Sequence, residues 1–120
     1  MRKFLIILYM LLFVSISFGQ AFPFESVVTS GGIGADYLYD ICLDNYGNKY
    51  ITGKFNATID FGNGVSITPI DNYDIYVAKY DENNVIQWAN SFGGVSADEG
   101  GTVAVDESGN VIVTGSFFQS

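Results

Sequence analysis

The sequence predicts an all-β fold built from four-stranded antiparallel meanders. Three observations carry that prediction: one stretch of the chain occurs twice, apolar residues alternate with period 2 between tight turns, and no helical periodicity follows residue 19. The repeated stretch, residues 31–55 (GGIGADYLYDICLDNYGNKYITGKF), returns 62 residues later as residues 93–117 (GGVSADEGGTVAVDESGNVIVTGSF). Aligned without gaps, the copies share the pairs Gly31/Gly93, Gly32/Gly94, Ala35/Ala97, Asp36/Asp98, Asp44/Asp106, Gly47/Gly109, Asn48/Asn110, Thr52/Thr114, Gly53/Gly115 and Phe55/Phe117. Self-similarity at a fixed period marks a repeat architecture, and a four-stranded meander repeated about every 40 to 60 residues is the pattern of a β-propeller blade.

The chain opens on different chemistry. Arg2 and Lys3 form a positive n-region, and residues 4–14 (FLIILYMLLFV) are an unbroken apolar run. Ser17 and Gly19 then place small side chains three and one residues ahead of a cut before Gln20. These features predict a signal-peptide helix over residues 1–19 and a mature repeat region over residues 20–120. Even extended to Phe18 the apolar run is fifteen residues with two serines, short of the roughly 18 to 20 needed to cross a bilayer. No stable membrane insertion is expected after cleavage, and the expected location is secreted, at the bacterial cell surface or in the periplasm.

Loss of Arg2 and Lys3 leaves Lys49, Lys54 and Lys79 against 13 acidic residues, a mature net charge of −10. Such a surface repels phosphates, which excludes nucleic acid as a partner. Cys42 is the single cysteine, so no intrachain disulfide can form. It aligns with Ala104, which points to a small packing residue.

Residues 24–30 (FESVVTS) are a short β-prone run that aligns with residues 86–92 (IQWANSF), each running into a Gly-Gly pair. The mature chain is thus expected to begin with a leading strand equivalent to the last strand of a repeat. In residues 37–44 the alternation places Tyr39, Ile41 and Leu43 on one face of a strand and Leu38, Asp40 and Cys42 on the other. A turn follows, shaped by Asp44, whose carboxylate can accept backbone amides two residues on, and by Gly47, which supplies a positive φ. The second copy keeps the device as Asp106 and Gly109. Residues 50–55 form the second strand. Two β-prone runs, 58–61 and 65–68, flank Gly62-Asn63-Gly64 and predict an accessory hairpin. Residues 73–80 form the third strand and residues 85–92, with Trp88, the fourth. One blade therefore covers residues 36–92, and a half blade covers residues 98–117.

Residues 36–55, followed by 74–80 (DIYVAKY) and 88–94 (WANSFGG), resemble the SBBP-type β-propeller repeat. The resemblance spans nearly the whole mature chain. It implies an exported bacterial protein, with the strand at Asp36 next to a central channel and the Trp88 strand outermost. It supplies no catalytic motif. One leading strand, one blade and half of another make an incomplete ring, so the expected reading is the front of a longer propeller. The unpaired edge near Phe117 invites self-association.

No histidine is present, so no Ser-His-Asp triad can be assembled, and no serine lies in a G-x-S-x-G context. Asp36, Asp40 and Asp44 recur at spacing four, which on a strand sets neighbours about 13 Å apart at roughly 3.3 Å per residue. They do not converge on a metal, and the D-x-[DN]-x-[DN]-G calcium pattern is missing. Gly31-Gly32-Ile33-Gly34 precedes a strand rather than a helix N-terminus, so it is no phosphate loop. No catalytic residue, metal site or cofactor is expected. The predicted function is that of an exported, non-enzymatic module presenting loops to a protein or glycan partner. The candidate binding hairpin is Phe61, Asn63, Ile67 and Tyr73, because this segment lies outside the repeated frame. The competing reading is a propeller hydrolase or lyase whose catalytic blades lie elsewhere.

Overall fold

Period-2 alternation interrupted by Asp-headed turns at Asp44 and Asp81 folds the first copy into one antiparallel sheet in the computed structural model, which describes residues 29–118. Its strands are β1 (Asp36–Leu43), β2 (Lys49–Phe55), β5 (Asp74–Tyr80) and β6 (Ile86–Phe92), side by side in that order. Between β2 and β5 the chain makes a separate small hairpin, β3 (Ile59–Asp60) and β4 (Ser66–Ile67). The second copy contributes a two-stranded sheet, β7 (Glu99–Val105) and β8 (Val111–Ser116). The described fold is all-β and antiparallel throughout. The predicted signal peptide, residues 1–19, lies outside the described residues, as does most of the leading strand 24–30. Its last two residues, Thr29 and Ser30, carry no strand, and Gly31 makes an isolated bridge to Asp60.

The alternation expected in the first strand is corrected by a bulge. Leu38 pairs with Gly53 and Asp40 with Thr52, so Tyr39 is an extra residue in β1. Beyond it Leu38 joins Ile41 and Leu43 on one face, whereas simple alternation had placed Leu38 opposite them. The second copy bulges at the same point: Gly100 pairs with Gly115 and Val103 with Val113, leaving two residues against Thr114. An extra residue of this kind bends a strand and increases its twist.

β5 is one of the two inner strands, and all its residues but Lys79 are buried. Its Tyr76, Ala78 and Tyr80 face the accessory hairpin, where Phe55, Ile59, Phe61, Ile67 and Ile86 complete one hydrophobic cluster. Its Val77 faces the other way and joins Tyr50 and Val103 in a second cluster, rimmed by Cys42, Trp88, Val105, Val111 and Val113. That second cluster is the seam between the two copies: the β7–β8 sheet packs face to face on the first sheet, against β1, β2 and β5. Aromatic pairs add to the area buried, with Phe55 edge-on to Tyr76 at 6.0 Å and Tyr50 tilted against Trp88 at 6.3 Å.

Candidate binding surface

The turn residues singled out from the sequence shape turns. Asp44 Oδ1 accepts the N–H groups of Tyr46 and Asn48 at 2.9 and 3.0 Å, and Oδ2 accepts from Asn48 Nδ2 at 2.7 Å. Asp106 repeats the pattern with Ser108 and Asn110. Gly47 and Gly109 take the positive φ that closes each turn, 82° and 83°. The turn between β5 and β6 uses the same arrangement, with Asp81 accepting from Asn83 and Val85, and Asn84 at φ 65° in the glycine's place.

The four residues of the candidate hairpin are not brought together. Phe61 and Ile67 point into the core, at 7% and 8% exposure, and the Phe61 ring packs on Tyr76. Asn63 is exposed at the tip, with φ 55°. Tyr73 immediately precedes β5 and belongs to a different cluster altogether.

That cluster is built around Lys54, the last but one residue of β2. Cross-strand pairing sets Tyr37 directly opposite Lys54, and Tyr73 immediately precedes the strand that flanks it on the other side. The Lys54 ammonium stands 5.3 Å from the centre of the Tyr37 ring, 5.9 Å from Tyr39 and 5.1 Å from Tyr73. A cation over several ring faces is held by their quadrupoles. Glu99 closes the group from the second copy, its Oε1 2.7 Å from Nζ. The Glu99 hydrogen bond, then one to Tyr39, pushes the Lys54 pKa up, so the ammonium is charged at any working pH. Tyr37 and Tyr39 remain 45% and 41% exposed. The surface thus offers two accessible aromatic faces beside a fixed donor and a fixed carboxylate.

Sequence reasoning missed this cluster, although a signal was there. Shifted by one repeat, Tyr37 becomes Glu99, Tyr39 becomes Gly101 and Lys54 becomes Ser116. Positions that the repeat holds constant build the architecture; these three are among the fifteen of 25 aligned positions at which the copies differ.

Elsewhere the carboxylates act as backbone clasps. Asp36 accepts from Gly32, Asp74 from Ile70, and Asp98 from both Gly94 and Phe118. Among the described residues no three of His, Cys, Asp and Glu gather where they could hold a metal ion. Burial, with the nearby Asp40 and Asp44 carboxylates, pushes the Cys42 thiol up, away from a nucleophilic thiolate. Burial, then the charge of Asp36 and the neighbouring Tyr80, pushes Tyr76 up to about 12.

The chain is similar to Uncharacterized protein MJ1070 of Methanocaldococcus jannaschii (strain ATCC 43067 / DSM 2661 / JAL-1 / JCM 10045 / NBRC 100440), 34% identical over 106 residues covering 72% of this chain and 68% of that protein. It belongs to that protein's family. No family model matches the chain, and no solved structure matches it. The name of that relative carries no activity.

Proposed function

We propose that the chain is an exported, non-enzymatic repeat module of the SBBP-type β-propeller kind, with residues 36–92 as one blade and 98–117 as the first half of the next. The observation that carries this reading is that the second copy forms a sheet of its own whose β7 packs against β1, β2 and β5 of the first. Successive blades of a propeller stack in this manner. The surface group of Tyr37, Tyr39, Tyr73, Lys54 and Glu99 is the part that meets a protein or glycan partner, since exposed aromatics beside oriented polar groups suit a ligand with both apolar and hydrogen-bonding faces.

The test is retention of the purified protein on arrays of glycans and cell-surface proteins, in parallel with a Tyr37→Ala/Tyr39→Ala variant. Retention of the wild type, lost in the variant, is the expected result. Failure of the wild type to bind anything, or equal binding by the variant, overturns the assignment of the surface.

A further inference from the structure

We propose that the group around Lys54 is a subsite for an uncharged pyranose with two free hydroxyls on neighbouring ring carbons, an inference that rests on the reading of this surface as a binding site. The group lies where the two copies meet. Tyr37 and Tyr39 come from β1, Lys54 from β2 and Glu99 from the start of β7, while Tyr73 directly precedes β5. β7 packs on β1 and β2 here, so the outer edge of β8 has no part in it.

The ion pair at the centre keeps hydrogen-bonding capacity to spare. An ammonium carries three donors and a carboxylate about four acceptor sites, and the 2.7 Å contact of Lys54 Nζ with Glu99 Oε1 uses one of each. The Glu99 side chain is 56% exposed and that of Lys54 18%, so both reach solvent. One ligand hydroxyl can therefore donate to Glu99 while its neighbour accepts from Lys54. Hydroxyls on adjacent ring carbons present such a pair at matching close spacing. The C–H face of the same sugar ring then lies on Tyr37 or Tyr39, both more than two-fifths exposed, whose ring faces carry the negative side of the quadrupole.

Charge narrows the class. The chain carries a net charge of −8, and the cation of this group is already spent on Glu99. A uronate or sulfated sugar would meet repulsion with no free countercharge. A cationic ligand would likewise find the carboxylate paired. A stable protein interface takes about 800 Å² from each partner, whereas two rings beside one ion pair are a contact on the scale of a sugar unit.

The probes are mannohexaose and cellohexaose, both uncharged and rich in free vicinal hydroxyls, titrated into the purified protein by calorimetry. Saturable binding of at least one is expected, weakened about tenfold or more once periodate has opened the diols. Hexagalacturonate, which keeps the diols and adds charge, should not bind. Glu99→Ala should weaken binding about tenfold with little change in melting temperature, because an exposed ion pair adds little stability. Binding of neither neutral hexasaccharide, equal binding after periodate or by hexagalacturonate, or unchanged affinity in Glu99→Ala overturns the proposal. A cell-surface protein retained through Tyr37 and Tyr39, with no hexasaccharide bound, overturns the sugar and leaves the binding surface standing. Retention of nothing at all overturns both.

Discussion

Asp40 Oδ2 accepts the N–H of Val103, 2.9 Å away across the seam between the two copies. Its other oxygen, Oδ1, accepts the N–H of Ile41 at the same distance. Ile41 and Val103 are equivalent residues of the two repeats, and both follow the bulge. One carboxylate thus serves two equivalent amides, one on its own strand and one on the sheet packed over it. Val103 is 4% exposed, so its amide has no ready replacement in water. Asp40→Ala should lower stability in urea denaturation by about 1–3 kcal/mol, the cost of stranding a buried donor. Asp40→Asn keeps one acceptor and should lose less. Equal losses for the two variants would show that the second hydrogen bond carries no weight.

Gly53 of β2 lies opposite Leu38 of β1, beside the bulge. A methyl there would collide with the backbone carbonyl of Tyr37 and press on the Tyr76 ring. Gly53→Ala should destabilise by about 1–3 kcal/mol through overpacking. Gly94, invariant between the copies in the same way, has nothing within 4 Å of the added methyl. Gly94→Ala should change stability by less than about 0.5 kcal/mol. Thermal melts of the two variants side by side decide the matter, and a larger loss at Gly94 would contradict the packing described.

The proposed export makes a prediction of its own. On that proposal the small side chains at Ser17 and Gly19 would place a cut before Gln20, and intact-mass measurement of exported protein should return a chain beginning at Gln20. Gly19→Leu should accumulate uncleaved precursor. A mature protein that retains Met1 would remove the basis for export.

Much of this fold was legible because strands and turns write themselves locally. Period-2 alternation located all four strands of the first sheet, and Asp44 with Gly47 located their first turn. The bulge at Tyr39 was not legible, since one extra residue leaves the apolar pattern nearly unchanged while reversing which face Leu38 joins. The burial of Phe61 and Ile67 was not legible for a related reason: they lie beside or within strands of only two residues, where alternation is too short to separate core from surface. The Lys54 cluster was hidden by distance along the chain. Tyr37, Lys54, Tyr73 and Glu99 meet only through strand register and sheet packing.

Acid should weaken the fold through its turn carboxylates. Some loss of water pushes Asp44 up, yet hydrogen bonds from the Asn48 side chain, the Tyr46 and Asn48 amides and the Tyr50 hydroxyl outweigh it and hold the carboxyl below its ordinary 3.8. Asp106 is likewise held below 3.8, by the Asn110 side chain and then the Asn110 amide. A folded-state pKa below the unfolded value means that the unfolded chain binds protons more readily in acid. The stabilisation is therefore fully present above the unfolded value and disappears as pH falls through the depressed folded value. Both groups are open to solvent, which screens the effect. The denaturation midpoint should owe no slope to these two groups above about pH 5 and should fall below roughly pH 4. In an Asp44→Asn/Asp106→Asn variant the drop between neutral pH and about pH 3 should be shallower. An acid limb as steep as that of the wild type would mean that other carboxylates, not the two turn residues, govern acid stability.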